Sequence, residues 1–408
     1  MKNDLLYQMA LSRIPGIGPV FSKRIFEYFG DAHTAFHSGP DSLKKIQGIG
    51  DSKAHAISTF TGFEKLEKEL IFLEKYGMRA LFYTDNDYPQ RLLTIDESPI
   101  LLFYKGKADL NAGKIISVIG TRNSTDYGRQ VTERLIRELN IPDILIVSGL
   151  AYGIDTLAHE AALKNDLPTV GVLGHGLDMI YPPENTRLAK DMIKQGGLLT
   201  QFNIGTSADE HNFPVRNKIV AGICDALIVI ESGPKGGSMI TVNDAINYHK
   251  RIFAIPGRIT DDHSSGCNML IQKGQAKLLN TGKELLSEMN WLPPDSTLIA
   301  SANPEASLNP GTHQVDLFSE RTNQSATPSN QSAVPAGTSL LIAGKTIGHL
   351  PADEKAVIEL LRNKGTLSSD ELSIAGGLRH NELAAILLSL EISGFVTPLP
   401  GKRFRLPL

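Results

Sequence analysis

The most constraining feature of this sequence is a series of short apolar segments, each followed by a glycine-containing turn and a helical pattern. Six such segments lie between residues 112 and 290, and they are unbroken and rich in β-branched residues: Ile115–Ile119, Ile144–Val147, Thr169–Leu173, Leu198–Gln201, Ala226–Ile230 and Ile252–Ile255. Continuous apolar strands that alternate with helices are typical of a parallel sheet buried on both faces. We therefore predict an α/β fold, with a Rossmann-like, doubly wound, mostly parallel sheet in residues 112–290.

The flanking sequence predicts four further segments. Residues 1–62 are expected to form a helical domain, and residues 63–111 a connector that packs on the core. Residues 291–348 are dominated by Pro, Ser, Ala, Thr, Asn and Gln, which bury too little apolar surface to offset the entropy of ordering, so we predict a disordered linker. Residues 349–408 show three helical patterns and then two short strands, which predicts a winged helix.

Two similar turns, Ile14–Pro19 and Ile46–Asp51, repeat within the first segment. Each lies between an apolar and a helical stretch, a pattern that resembles tandem helix-hairpin-helix motifs. Glycines permit the tight turn, and the N–H groups at the start of the next helix can face a phosphate. Only Lys23, Arg24 and Lys53 follow these turns, so contact with DNA and a purely structural role both stay open.

Composition limits the possible partners. The formal net charge is -3, so any nucleic-acid site must be a local cluster of cations. Residues 349–408 hold seven acidic and seven basic residues, which favours a structural or protein-contact role for the winged helix. The two cysteines, Cys224 and Cys267, indicate neither a disulfide framework nor a metal site. The chain begins with no apolar leader and has no long apolar run, so we expect a cytoplasmic protein without a membrane segment.

Ligands of an open parallel sheet bind at the carboxyl ends of its strands. Four exit loops carry glycines, hydroxyl groups or cations close to the start of a helix, where free N–H groups favour an anion. Phe213 can also stack on a base. The candidate nucleic-acid-binding residues are Gly120, Arg122, Thr125, Ser148, Gly149, Gly153, Phe213, Arg216, Asn217, Lys218, Lys235, Gly237 and Ser238.

The same loops argue against a redox cofactor and against catalysis. The dinucleotide fingerprint GxGxxG is missing after the first strand, so we expect neither NAD nor FAD. Asp155 and His159 lie four residues apart on one helix, and we expect them to make a structural side-chain contact rather than an acid–base pair. With no catalytic triad, carboxylate pair or metal cluster apparent, we predict a binding protein without cofactor or metal.

Six motifs carry a resemblance to a known family. They are GTRNSTDYG (120–128), SGLAYGIDTLAHEAAL (148–163), GVLGHGLDMIYPPEN (171–185), FPVRNKIV (213–220), GPKGGSMIT (233–241) and FAIPGRI (253–259). Together they resemble the DprA/Smf family over roughly residues 80–285. The resemblance implies that the Rossmann-like domain binds single-stranded DNA. It also implies homodimers that load the RecA recombinase during natural transformation and displace single-strand-binding protein.

The resemblance also implies which residues contact the strand: Arg122, Arg216, Lys218, Lys235 and Ser238. Two positions depart from the family pattern. Gln201 stands where a Glu is usual, at the end of the fourth strand. Lys218 stands where Arg is common, which keeps the charge and loses the planar fork.

Two alternatives stay open. A nucleoside-monophosphate phosphoribohydrolase-like enzyme would carry a PGGxGTxxE pattern, but here Met239 and Ile240 replace its Gly and Thr, and Asp244 is displaced from the Glu position. A clamp-binding scaffold is suggested by Gln314, Leu317 and Phe318, because QVDLF resembles the pentapeptide that bacterial proteins insert into the sliding clamp. We expect clamp binding as an addition to DNA binding.

Overall fold

The computed structural model divides into two compact units, Met1–Glu305 and Ala306–Leu408. The predicted linker lies almost wholly outside the residues that the structure describes, and the QVDLF segment lies wholly outside them. The described residues are 2–292, 341–342, 345–346, 351–376, 378, 383, 386–387, 390–391, 395–399 and 403–407.

Six helices open the first unit: α1 (Lys2–Leu11), α2 (Pro19–Phe29), α3 (Ala32–His37), α4 (Pro40–Leu43), α5 (Asp51–Ser58) and α6 (Phe63–Lys75). The two repeated turns precede α2 and α5. Gly48 shows why the second turn needs glycine, because its φ is +86° and a Cβ there would lie 2.6 Å from the Phe21 ring. The helix-hairpin-helix assignment itself stays a prediction.

A nine-stranded sheet forms the centre of this unit. Its strands are β1 (Arg79–Phe82), β2 (Leu101–Gly106), β3 (Lys114–Ile119), β4 (Ile144–Ser148), β5 (Thr169–Val172), β6 (Gly197–Thr200), β7 (Ala226–Val229), β8 (Arg251–Ala254) and β9 (Lys277–Leu278). They lie in the order β1-β2-β6-β5-β4-β3-β7-β8-β9. Strands β3 to β9 pair in parallel, whereas β1–β2 and β2–β6 pair antiparallel. The prediction of a mostly parallel, doubly wound sheet is confirmed, and β3 to β8 are its six predicted strands.

Helices cover the sheet: α7 (Asp126–Glu138), α8 (Ile154–Lys164), α9 (Thr186–Gln195), α10 (Asn212–Ile223), α11 (Ser238–Asn247), α12 (Asp262–Gln272) and α13 (Gly282–Glu288). Alternate residues of each strand enter different cores. Val147 and Val229 belong to a cluster with α10 and α11, whereas Ile146 and Ile228 belong to a cluster with α7 and α8. Burial on both faces explains why these strands are apolar without alternation.

The order of the strands fixes where a ligand pocket can form. Chain connections run from β3 through β4 and β5 to β6, and then return to β7 on the other side of β3. The exit loops of β3 and β7 therefore diverge, and a crevice opens between them at the carboxyl edge of the sheet. Within the described residues, no helix has both the length and the apolar character that crossing a membrane requires.

The second unit contains α14 (Ala352–Lys364) and α15 (Ser369–Gly376). Its strands are β10 (Leu341–Ile342), β11 (Lys345–Thr346), β12 (Leu367–Ser368), β13 (Thr397–Leu399) and β14 (Arg403–Arg405). An antiparallel sheet of order β12-β14-β13 packs with the helices around a small core that includes Val357, Leu372 and Phe395. Helices followed by a β-hairpin match the predicted winged helix.

Candidate functional site

A pocket of about 490 Å³ lies at the switch point between β3 and β7. We call it the switch-point pocket. The exit loops of β3, β4 and β7 and the first turns of α8, α10 and α11 form its walls. The predicted residues that line it are Gly120, Arg122, Gly149, Phe213, Arg216, Asn217, Gly237 and Ser238.

Three helices begin at this pocket without a side-chain cap. The N-cap residues of α8, α10 and α11 are Gly153, His211 and Gly237, and none of them bonds a first-turn N–H group through its side chain. Some first-turn N–H groups bond to backbone carbonyls, as those of Ile154 and Met239 do, but the partial positive charge at each helix start still favours an anion. Three such ends around one pocket give it a positive character that the net charge of the chain does not reveal.

Arg122 places a solvent-exposed cation at the mouth of the pocket. Its guanidinium carbon lies 5.3 Å from the centre of the Phe213 ring, which is cation–π distance. Within the described part of the chain, the Arg122 guanidinium makes no ion pair or hydrogen bond. Phe213 also lies 6.1 Å from the Tyr181 ring, at a tilt of 31°. An exposed cation beside two rings suits a phosphate and the face of an adjacent base.

Arg216 is buried beneath the pocket, with only 6% of its surface exposed. Its Nη1 donates to the Val172 carbonyl, and its Nε donates to Asn217 Oδ1 at 2.9 Å. Burial lowers the pKa of Arg216, and the nearby Asp155 carboxylate opposes that shift. Burial raises the pKa of Asp155, and Arg216 opposes it. The two groups therefore compensate each other electrostatically in a site away from solvent.

Gly149 leaves the space that this buried pair occupies. A Cβ at Gly149 would lie 2.4 Å from Asp155 Oδ2 and 2.6 Å from Arg216 Nη1. Any larger residue would displace one of the two charged groups. The glycine after β4 is therefore required by the close approach of side chains, whereas Gly153 before α8 is required by its φ of +76°.

The expected side-chain contact between Asp155 and His159 does not form. Asp155 accepts a hydrogen bond from the Ala151 N–H at 3.2 Å. His159 donates from Nε2 to the Gly149 carbonyl at 2.6 Å, and its Nδ1 accepts from the Thr169 hydroxyl at 2.7 Å. Burial lowers the pKa of His159 to about 4, so the ring is neutral. Although the spacing placed both residues on one helix face, backbone groups and Thr169 supplied better partners.

Thr125 organises the loop after β3. Its side chain caps α7 by accepting from the Gly128 N–H at 3.2 Å. The buried Glu231 carboxylate then accepts from the Thr125 N–H at 3.0 Å and from its hydroxyl at 2.5 Å. A Cβ at Gly128 would lie 2.1 Å from Glu231 Oε2. The chain's own carboxylate thus occupies the anion position at the start of α7. Glu231 was not among the predicted site residues. Its position immediately after the apolar strand is the sequence feature that could have indicated it.

The remaining candidates lie around the pocket rather than in its walls. Ser148 donates to the Val118 carbonyl at 2.6 Å, which fixes two strand ends together. A Cβ at Gly153 would lie 2.2 Å from the Thr121 carbonyl oxygen. Lys235 is exposed at the tip of the glycine-rich loop after β7. These three residues surround the pocket without lining it.

Lys218 lies on another side of α10 from Arg216. Its ammonium pairs with Glu97 at 2.8 Å, in a second cavity that Val215 and Ile219 also line. Residues two apart on a helix do not share a face, so a buried Arg216 directs Lys218 elsewhere. Asp244 lies near Lys218 and Glu97, and burial raises its pKa. It is absent from the described lining of the switch-point pocket.

Fold and pocket together define a doubly wound α/β protein with a pocket at its topological switch point, joined in sequence to a winged helix. Residues 79–290 match the family model described as DNA recombination-mediator protein A, and residues 343–402 match the DprA winged helix domain. The chain belongs to the DNA recombination-mediator protein A family, which includes DprA and Smf proteins. The resemblance predicted from the six motifs is confirmed, and so is the winged helix.

Individual relatives agree with this assignment. Protein Smf of Synechocystis is 30% identical over 411 residues, which cover 99% of each chain. DNA processing protein DprA of Streptococcus pneumoniae is 42% identical over 207 residues, which cover 51% of this chain and 73% of the relative. The X-ray structure of DprA from Streptococcus pneumoniae aligns with a TM-score of 0.61 at 34% identity, over 69% of this chain and 97% of that one.

Proposed function

We propose that this protein binds single-stranded DNA across the switch-point pocket and acts as a non-enzymatic recombination mediator. The observation that carries the proposal is the convergence of three uncapped helix starts with Arg122 at one pocket. Phosphates are the anions that suit such a site. Membership of a family of DNA recombination mediators supports DNA as their source.

Two features favour a single strand over a duplex. Phe213 and Tyr181 stand beside Arg122, and unstacked bases can pack on such rings. The cations lie in loops around a crevice, whereas a winged helix or helix-turn-helix would present a helix to the major groove. Backbone N–H groups and cations read phosphates and not bases, so binding should tolerate any sequence and weaken with salt.

The Arg216–Asp155 pair has a supporting role in this proposal. The bond from Arg216 to the Val172 carbonyl fixes the start of α10 against the end of β5. Phe213 and Asn217 of α10 line the pocket. The buried pair would therefore hold the pocket wall ready before DNA arrives, which reduces the ordering cost of binding.

The proposal extends to the protein's partners and to its role in the cell. We propose that the DNA-bound protein protects incoming strands, loads the RecA recombinase, and displaces single-strand-binding protein in the cytoplasm. A homodimer would offer two pockets to one strand and so raise avidity. Contact of residues 314–318 with the sliding clamp is a separate proposal. Calorimetry with a peptide that spans residues 310–322 tests it, and an absence of heat would refute clamp binding.

Fluorescence anisotropy with labelled oligo-dT tests DNA binding. The wild type should bind single strands more tightly than duplex, and an Arg122→Ala/Lys235→Ala variant should lose about 100-fold in affinity, because two charge-assisted contacts disappear. The logarithmic salt slope should shrink by about 1.4, or about 0.7 per phosphate. Lys164→Ala is the matched control, since it removes an exposed cation from the far end of α8.

Equal binding of single strands and duplex, or full binding by the double variant, would refute this site. DNA contact would then have to come from the terminal regions. The enzymatic alternative has its own test, which is release of ribose phosphate from AMP. Turnover that is lost in an Asp244→Ala variant would replace the binding proposal for this domain.

A further inference from the structure

A second cleft lies beside the switch-point pocket, at the exit of β8. Its volume is about 640 Å³, and we call it the β8 cleft after the residues that line it: Tyr127, Pro256, Gly257, Arg258 and Asp261. Tyr127 belongs to the first turn of α7, and the other four follow β8. The cleft thus lies on the same carboxyl edge of the sheet as the switch-point pocket, one strand beyond β7.

The glycine-rich loop after β7 separates the two sites. Its Ser232 lines the switch-point pocket, and the carbonyl of the same residue accepts from the Gly266 N–H of α12 at 2.8 Å. Lys235 is exposed at the tip of this loop. Adjacent strands of a sheet lie about 4.8 Å apart. A nucleic-acid strand that leaves the switch-point pocket over Lys235 therefore reaches the β8 cleft within its next nucleotides.

Arg258 gives the β8 cleft a free cation. Its side chain is exposed, and within residues 2–292 its guanidinium makes neither an ion pair nor a hydrogen bond. Asp261 is the acid of the cleft, but its carboxylate is engaged with α12. It accepts from the His263 N–H at 3.0 Å and from the Ser264 hydroxyl at 3.3 Å. The positive start of α12 offsets that charge, so Arg258 remains available to an anion.

Two exposed apolar side chains belong to this region, since Tyr127 lines the cleft and Ile259 follows Arg258 in the chain. Ile259 is 96% exposed, the largest exposure among the described large hydrophobic residues. The Tyr127 ring is 42% exposed, while its hydroxyl donates to the Pro256 carbonyl at 2.6 Å and fixes the ring against the loop. A flat ring, an exposed aliphatic side chain and a free guanidinium together match one nucleotide, with its base and its phosphate.

We propose that the β8 cleft, with Ile259 at its edge, is a second contact site for the same single strand of DNA. Arg258 takes a backbone phosphate, and Tyr127 and Ile259 pack against a base. The strand then runs along the carboxyl edge of the sheet, from Phe213 past Lys235 to Arg258. The inference rests on the proposed function and extends it from one pocket to a path along the sheet edge.

Anisotropy with two oligonucleotide lengths tests the path, using oligo-dT of about four nucleotides and of about twenty. On the long oligonucleotide, Arg258→Ala should reduce the salt slope by about 0.7. Ile259→Ser and Tyr127→Leu should each weaken binding about fivefold or more, since a base loses its packing surface. Tyr127→Phe keeps the ring and should bind as the wild type does. On the short oligonucleotide, which the switch-point pocket alone can hold, all four variants should match the wild type.

Lys273→Ala is the control, because it removes an exposed cation from the other end of α12. If the β8-cleft variants bind the long oligonucleotide like the wild type while Arg122→Ala/Lys235→Ala loses it, the second site is wrong and the proposed function stands. If they weaken both lengths equally, they act through loop structure, and the second site is also wrong. If Arg122→Ala/Lys235→Ala binds fully, the proposed function itself fails.

Discussion

The N-terminal hairpins and the carboxyl edge of the sheet have the same local chemistry and different structures. In both regions a glycine turn precedes a helix, and a Lys or Arg follows within a few residues. From sequence, both are candidates for phosphate binding. What separates them is the partner that each cation finds within the fold.

At the hairpins the cations bond to the protein itself. Lys53 donates to the Gly48 carbonyl at 2.9 Å, and its ammonium lies 3.6 Å from the centre of the Phe21 ring. Arg24 donates to the Gln47 carbonyl at 3.3 Å. Lys23 donates to the carbonyls of residues 95 and 96 and to the Ser98 hydroxyl. These contacts join the two hairpins and anchor them to the following segment.

At the carboxyl edge the exposed cations have no such partners. In the described part of the chain, Arg122, Lys235 and Arg258 make no ion pair or hydrogen bond through their side chains. The starts of α8, α10 and α11 at this edge likewise lack a side-chain cap. A glycine turn with a cation is therefore a candidate nucleic-acid site only where the fold leaves that cation unpaired.

Arg216 is the buried cation at the carboxyl edge of the sheet, and its removal has the largest expected effect on stability. Arg216→Ala should lower the free energy of unfolding by about 3 kcal/mol, because it leaves Asp155 buried without its compensating charge. Arg122→Ala, an exposed control, should change it by less than about 0.5 kcal/mol. Urea denaturation measures both. Equal effects would mean that burial does not divide structural from ligand-binding cations at this edge.

The Arg216→Ala variant should also respond to pH with a definite sign. Loss of Arg216 raises the pKa of Asp155 in the folded state still further above its unfolded value. The folded state then binds more protons than the unfolded state, so stability falls as pH rises above the ordinary Asp pKa of about 3.9. The destabilisation should therefore be larger at neutral pH than in acid.

His159 gives the opposite pH dependence in the wild type. Burial lowers its pKa to about 4, whereas the unfolded side chain titrates at 6.5. As pH falls from 7 to 5 the unfolded state gains the proton first, so the free energy of unfolding should drop by about 2 kcal/mol from this residue. His159→Gln should remove that component, and His211→Gln, an exposed control, should keep it. An unchanged pH profile in His159→Gln would show that another group dominates.

How far the sequence predicts this molecule follows from the range of each interaction. Strands β3 to β8 were predicted because a strand buried on both faces is apolar throughout, which is a local signal. The addition of β1 and β2 to the sheet was not predicted, because the pairing of β2 with β6 joins residues about a hundred positions apart. The Glu231–Thr125 bond was missed for the same reason, because β3 and β7 become neighbours only in the folded sheet.

The candidate site follows the same division. The loops were predicted because the ends of parallel strands converge, and eight of the predicted residues line one pocket. The sequence could not show which cations would be buried or paired. Arg216 and Lys218 are two positions apart, and the fold directs one to Val172 and the other to Glu97.

The next prediction concerns the cations of the N-terminal hairpins. The Arg24→Ala/Lys53→Ala variant should have a free energy of unfolding about 1 kcal/mol lower than the wild type. It loses the exposed hydrogen bonds that Arg24 and Lys53 donate to backbone carbonyls. Affinity for single-stranded oligo-dT should stay within about twofold of the wild type, because these cations already have partners. A tenfold loss of DNA affinity would show that they exchange their carbonyl partners for phosphates, and the contrast between the two regions would fail.

The smallest expected effect concerns Lys218. This residue is intermediate between the paired cations of the hairpins and the unpaired cations of the carboxyl edge. Its pair with Glu97 is exposed, and such pairs contribute about 0–1 kcal/mol, so a phosphate can compete for the ammonium. Glu97→Gln releases Lys218 without moving it. If Lys218 does not contact DNA, the affinity for DNA should rise by less than about twofold in this variant, and the salt slope should not change. A slope that steepens by about 0.7 would place one more phosphate at Lys218, and the strand would then cross α10 beyond the switch-point pocket.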